Sequence, residues 1–109
     1  MANKVYTKKG DNGTTSLLSG RRISKLYPEI KAVGALDELN SFVGLLRTET
    51  LNDKLLEDIQ WNLFNAGSMI INDNNSELNS VSETDIEILE AVMDKMNEEL
   101  PELKNFIIL

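Results

Sequence analysis

Residues 28–48 read PEIKAVGALDELNSFVGLLRT, and apolar side chains recur through them at helical spacing. Ala32, Ala35, Leu36, Leu39, Phe42, Val43 and Leu46 fall along one face at 100° per residue. Pro28 suits the first turn of a helix, because the N–H it lacks is one of the donors left unpaired there anyway. The spacing therefore predicts a helix over 28–48. Away from that stripe, Gly34, Asp37, Asn40, Ser41 and Gly44 share an arc with Ile30 and Val33. Each mid-helix glycine costs about 1 kcal/mol relative to alanine, and an arc that only faces solvent gives no return for it. Close approach of another backbone or of a ligand would use the glycines. A solvated Asp-Glu-Leu-Asn surface is the plainer alternative.

Downstream, Leu55, Ile59, Leu63, Ala66 and Ile70 carry a similar stripe after a polar joint at Glu49 to Asn52. They predict a second helix over 51–72, antiparallel to the first because the joint is so short. Residues 72–80, NDNNSELNS, hold little to bury and read as an exposed connection. Ser82 and Asp85 form an acidic variant of the capping box, and Val81 is placed to staple onto Ile86. Ile86, Leu89, Met93, Met96 and Leu100 then repeat at 3,4,3,4 spacing until Pro101, which predicts a third helix over 82–100 with a seam for other helices. The expected class is all-α, an antiparallel helical bundle preceded by a Gly/Thr/Lys-rich loop. The sequence stops at Phe106-Ile107-Ile108-Leu109, an apolar run that suggests a docked tail or a longer protein cut short.

A chain of 109 residues suits a single domain over 1–109, and one this small often gains stability by associating with copies of itself. No apolar run approaches the ~20 residues that span a bilayer. The leading MANKVYTKK has no signal-peptide core, so the expectation is a cytoplasmic protein without membrane contact. Cysteine and histidine are both absent, which removes thiolate chemistry and the commonest general base and metal ligand. Net charge is −7, which argues against nucleic-acid binding, but the charge is polarised. Residues 1–31 carry seven Lys/Arg against two acids, and the remainder four against sixteen. A basic segment on an acidic body points to a small anionic ligand, or to nothing more than a basic terminus.

That segment, residues 1–26, shows no helical periodicity and reads as a loop. Val5-Tyr6-Thr7 has the composition to start a strand, and Asp11-Asn12-Gly13 is turn chemistry. Thr7-Lys8-Lys9-Gly10-Asp11-Asn12-Gly13-Thr14-Thr15-Ser16 combines cations, flexible backbone and hydroxyls, the ingredients of phosphate binding. It lacks the Gly-Lys-Ser/Thr of a P-loop. By themselves these residues are read more simply as a surface hairpin.

Together the segments resemble the PduO-type family of ATP:cob(I)alamin adenosyltransferases. The resemblance rests on Tyr6 to Ser16, on Gly20-Arg21-Arg22 with Lys25, and on Ala32 to Ser41 with Gly44. It continues through Ile59-Gln60, Leu63-Phe64, Gly67, Leu100-Pro101 and Phe106-Ile107. It implies a five-helix bundle forming a homotrimer, of which this chain supplies three helices, with ATP and the corrinoid bound between subunits. Thr7, Lys8, Lys9, Gly10, Thr15, Ser16 and Lys25 become ATP contacts, and Asp11 and Gly13 shape the loop. Lys9 stands where the family commonly has threonine, and Asn12 where it commonly has lysine.

The same resemblance gives Asp37 an arginine partner on the adjacent subunit and places Phe106 beside the corrin. It also implies a later arginine-rich helix that is absent here, so that these residues alone are expected to be inactive. The implied reaction is adenosyl transfer from ATP, with Mg2+, to cob(I)alamin. The rivals are a helical oligomerisation module, favoured by the seam of the third helix, and an ATP-binding regulator without catalysis.

Overall fold

The computed structural model describes residues 3–51, 53–75 and 77–108. Asn52 of the expected joint, Ser76 of the connection and Leu109 of the apolar end lie outside them. Two short strands, β1 (Thr14–Ser16) and β2 (Arg22–Ser24), precede three helices: α1 (Pro28–Arg47), α2 (Asp53–Ile70) and α3 (Glu83–Glu98). The helices start and stop within two residues of the expected spans. Tyr27, in extended conformation, caps α1 ahead of Pro28, and its carbonyl accepts from Ile30 N–H at 3.0 Å. Ser82 N–H donates to the Asp85 carboxylate at 2.9 Å at the head of α3, as the box motif predicts.

The strands are not where the turn chemistry suggested. Residues 5–7 form no strand, and Asp11-Asn12-Gly13 is a turn that leads into the hairpin rather than its tip. β1 and β2 pair antiparallel with Thr15 opposite Ile23 and Ser16 opposite Arg22. Leu17 N–H donates to the Arg21 carbonyl at 2.8 Å and Gly20 N–H to the Leu17 carbonyl at 2.9 Å. Gly20 takes φ +92°, a conformation that favours glycine, and that is why the chain reverses there.

Among the described residues α1 and α2 are the closely packed helix pair. The face of α1 that meets α2 lies between the glycine-bearing arc and the apolar stripe: Val33, Asn40 and Gly44 of the arc are partly buried together with Leu36 and Val43 of the stripe, while Gly34, Asp37 and Ser41 stay exposed and the rest of the stripe remains open. Asn40 Nδ2 donates to the Gln60 carbonyl at 3.2 Å, and Gln60 Nε2 returns a bond to the Asn40 carbonyl at 3.2 Å. Gly44 makes room for this exchange, since a Cβ there would lie 3.0 Å from Gln60 Nε2. Farther along, Gly67 of α2 is buried beside Val33. Gly34, by contrast, has nothing within 4 Å of an added Cβ, so only part of the arc is in contact. Meanwhile Phe42 is 62% exposed, and Leu39, Leu45 and Leu46 are exposed with it.

The result is an open molecule. Its radius of gyration is 17.9 Å, against about 13 Å for a compact domain of this length. Its accessible surface is 9416 Å2, where a compact monomer of this mass would show about 6,100 Å2. The difference is of the size that obligate interfaces bury. The buried hydrophobic residues are Leu17 and Ile23 of the hairpin and Leu56 of α2. α3 stands beside α2 across a groove of about 270 Å3 lined by Leu55, Trp61, Ile88 and Leu89 among others.

The two helix-1 glycines should therefore respond oppositely to substitution. Gly34→Ala should stabilise the protein by up to about 1 kcal/mol through helix propensity. Gly44→Leu should destabilise it by about 1–3 kcal/mol, because α2 must move or Gln60 lose its bonds. Urea unfolding of the two variants checks this. An unchanged midpoint for Gly44→Leu would show that the helices do not meet through position 44.

Candidate functional site

The basic loop is built by the hairpin that follows it. Arg22 and Ser16 are opposite one another, so they share one face of the ribbon, and the Arg22 guanidinium folds back along it. Its Nη2 donates to the Lys9 carbonyl at 2.8 Å, to the Thr14 carbonyl at 3.0 Å and to Thr14 Oγ1 at 3.0 Å. One cation thus ties the beginning and end of the 9–14 turn together. Inside the turn, Asp11 N–H donates to the Lys8 carbonyl at 3.3 Å and Gly13 N–H to the Gly10 carbonyl at 3.2 Å. The carbonyls are consumed inwards, while the N–H groups of Gly10 and Asn12 have no partner among the described residues.

Backbone conformation accompanies this arrangement. Gly13 takes φ +90°, and Lys8 is in the left-handed region at φ +62°. That conformation is uncommon for a residue with a side chain, and turns of this kind gather N–H groups into anion-binding concavities. Lys25 follows β2 directly, and its N–H donates to the Gly13 carbonyl at 2.9 Å. Its side chain lies across Gly10: a Cβ at position 10 would sit 3.1 Å from Lys25 Nζ and 3.1 Å from the Thr14 carbonyl oxygen. The absent side chain is the space the ammonium occupies. None of Lys8, Lys9 and Lys25 is ion-paired among the described residues. Their charge is available to an anion.

The structure brings Lys9, Gly10, Asp11, Gly13 and Lys25 into one turn, with Thr7 accepting the Lys9 N–H at 3.3 Å through its hydroxyl. Lys8 turns toward Tyr6, its Nζ 5.7 Å from the ring centroid. Thr15 and Ser16 are separated by the pleat. Thr15 shares a face with the buried Ile23, and Ser16 shares the open face with Arg22. Asp37 is exposed on α1, and its carbonyl accepts the Ser41 hydroxyl at 3.0 Å. Phe106 is fully exposed beyond α3 and lines an open groove with Leu103 and Ile107. No described contact joins either residue to the loop.

Two contributors escaped the sequence reading as site residues. Arg22 organises the turn, although it had been noted only as part of a motif. Asp73, in the polar connection after α2, holds the hairpin tip. Ser19 N–H donates to its Oδ1 at 2.9 Å and Ser19 Oγ to its Oδ2 at 2.6 Å, with Arg21 Nε 3.5 Å away. Beside it, Leu18 N–H donates to the Ile71 carbonyl at 3.0 Å.

A helical protein with a basic, glycine-bearing turn ahead of its helices is the class these features define. Residues 5–109 match the family model described as cobalamin adenosyltransferase, and the chain belongs to that family. It is 36% identical over 110 residues to the corrinoid adenosyltransferase PduO of Citrobacter freundii, covering 95% of this chain and 33% of that protein. To the corrinoid adenosyltransferase of Bacillus subtilis it is 36% identical over 112 residues, covering 96% of this chain and 58% of that one. A variant PduO-type ATP:corrinoid adenosyltransferase from Lactobacillus reuteri, complexed with cobalamin and ATP, matches with a TM-score of 0.87 at 30% identity. That match covers 96% of this chain and 61% of the solved one. The chain therefore spans between a third and three fifths of the length of these relatives.

The hairpin latch has a pH signature. Bonds from the Ser19 hydroxyl and N–H, with Arg21 nearby, hold the Asp73 carboxyl below its ordinary value of 3.8. A group whose folded-state value is depressed adds stability above its unfolded value and loses it as the pH falls through the folded one. The Leu18 and Ser19 amide resonances should accordingly titrate with a midpoint below the ordinary value of 3.8. An NMR titration with a midpoint at or above that value would show the carboxylate unlatched.

Proposed function

We propose that the protein transfers the 5′-deoxyadenosyl group of ATP to the cobalt of cob(I)alamin and releases triphosphate. The observation that carries this reading is the Lys25 ammonium laid across Gly10, in a turn closed by Arg22, within a chain of the cobalamin adenosyltransferase family. The relatives' names support it, and so does the structural neighbour complexed with cobalamin and ATP. Both reactants are substrates. The Co(I) centre attacks C5′ of ATP, the C5′–O bond breaks, and its electron pair leaves on the triphosphate. The nucleophile comes with the corrinoid, which is why a protein without His or Cys serves.

The protein's part is to hold the leaving group and align it. Lys25, Lys9 and the outward N–H groups of the 9–14 turn take the phosphate oxygens, with Thr7, Lys8, Thr15 and Ser16 as further contacts. Asp11 and Gly13 shape the turn. Mg2+ would arrive as the counter-ion of the triphosphate, since no group of three or more acids among the described residues offers it a site. Asp37 pairs with an arginine of a neighbouring subunit, and Phe106 packs beside the corrin. The assembly is a homotrimer, in which the exposed stripe of α1 and the seam of α3 find cover. No helix among the described residues is long and apolar enough to cross a membrane, and ATP as substrate places the activity in the cytoplasm.

Lys25→Ala is the direct test. Losing a charge-assisted phosphate contact costs about 1.5–3 kcal/mol, or roughly 10- to 150-fold in affinity. Isothermal titration with MgATP should register that loss, and adenosylation of chemically reduced cobalamin should fall with it. An unchanged ATP dissociation constant would remove Lys25 from the site. Residues 1–109 alone are expected to bind ATP without turnover, so the regulator reading is tested on a chain that also carries the arginine-rich helix: ATP binding without adenosylation there would make the protein a regulator instead.

A further inference from the structure

We infer that Asp73 is a positioning residue for nucleotide binding: it pins the tip of the β1–β2 hairpin to the end of α2 and so fixes where the 9–14 turn and Lys25 stand. The inference rests on the proposed nucleotide site but names a residue outside the loop, 48 positions beyond Lys25 in the sequence. It begins from the weakness of the hairpin itself. Each strand has three residues, and an isolated two-stranded ribbon is at best marginally stable in water. Leu17 and Ile23 are its buried side chains. Something outside the ribbon must hold it.

Its two ends are held differently. At the base, Lys25 leads within three residues into Pro28 of α1, and Tyr27 N–H donates to the Ser24 carbonyl at 3.1 Å. At the tip, both Asp73 oxygens are engaged by Ser19, the nearer at 2.6 Å, with Arg21 alongside and the Leu18 to Ile71 backbone bond adjacent. The Asp73 side chain keeps only 20% of its exposure under this turn. The phosphate-binding turn is at the base of the ribbon, where Thr14 pairs with Ser24. The paired strands span about 10 Å between the two. With the tip released, the ribbon is free to swing about Leu26 and Tyr27, and the donors lose their fixed relation to the helices. Preorganised donors bind more tightly than mobile ones because the cost of ordering them falls before binding.

Asp73→Asn tests this, because it keeps the shape and removes the charge that accepts two bonds from Ser19 and pairs with Arg21. Ser19→Ala, which removes one bond from the other side, serves as an independent second variant, and Asp58→Asn on the exposed face of α2 as a control. Hydrogen exchange should speed up at the Leu18, Ser19 and Lys25 amides in the first two variants, with the interior amides of α1 and α2 unchanged. MgATP affinity should drop about tenfold, with corrinoid affinity unaltered. General destabilisation would weaken both substrates alike. Wild-type exchange at the hairpin amides of Asp73→Asn would overturn the latch whatever ATP does. Faster exchange with unaltered ATP affinity would overturn the positioning role. Lys25→Ala measured in parallel separates the two readings. If it binds ATP weakly while Asp73→Asn binds normally, only the Asp73 role falls. If it too binds ATP normally, the nucleotide site falls and this inference with it.

Discussion

The reciprocal amide bonds between Asn40 and Gln60 fix how α1 and α2 meet, and the hairpin that carries the basic loop is attached to that pair at both ends. Those amide bonds can form only where two helix backbones approach closely, and Gly44 provides the clearance. Arg47 extends the same seam, donating to Gln60 Oε1 at 2.7 Å and gripping Asp53 through two bonds at 2.8 and 3.1 Å. The α1–α2 turn is thereby closed by a bidentate pair, and Asp53 is held below the usual carboxylate range by that guanidinium. Polar groups share the contact face with only part of the apolar stripe, Leu36 and Val43. The consequence is a pair of helices whose largest hydrophobic side chains still face outward.

The loop inherits its position from this pair at one remove. α1 carries the base of the hairpin covalently, and the connection after α2 carries its tip through Asp73. The angle between the helices therefore sets the distance between the two supports. Arg22 does within the hairpin what Asn40 and Gln60 do between the helices, converting several loose backbone carbonyls into one fixed arrangement. It leaves the Gly10 and Asn12 N–H groups without a described partner and Lys25 lying across Gly10. The proposed chemistry then needs no titrating residue, because on that reading the work is binding and alignment of a charged leaving group.

Much of this was legible in the sequence, and the failures have physical causes. Helix positions followed from 3.6-residue periodicity and from Pro28 and Ser82, local signals that survive without tertiary context. The contact face of α1 did not follow, because hydrophobic periodicity names the face that is apolar, not the one that permits close approach. The unexplained cost of Gly44 was the better guide, and Gly34 shows that the same cost is not always repaid at a described contact. The hairpin was foreseen, but its turn was assigned to Asp11-Asn12-Gly13 when Gly20 makes the reversal. Either triplet has turn chemistry, and only pairing decides between them. The Ser19 to Asp73 contact joins two polar turns 54 residues apart, and nothing local marks either partner.

The central claim is that the turn from Lys9 to Thr14, with Lys25, receives the triphosphate of ATP. Amide chemical-shift mapping of the labelled protein during addition of MgATP tests it most directly. The largest shifts should fall at Gly10, Asn12 and Lys25, with nearly the same pattern for inorganic triphosphate. Shifts concentrated on α3 or on residues 99–108, with the loop amides unmoved by either ligand, would contradict it.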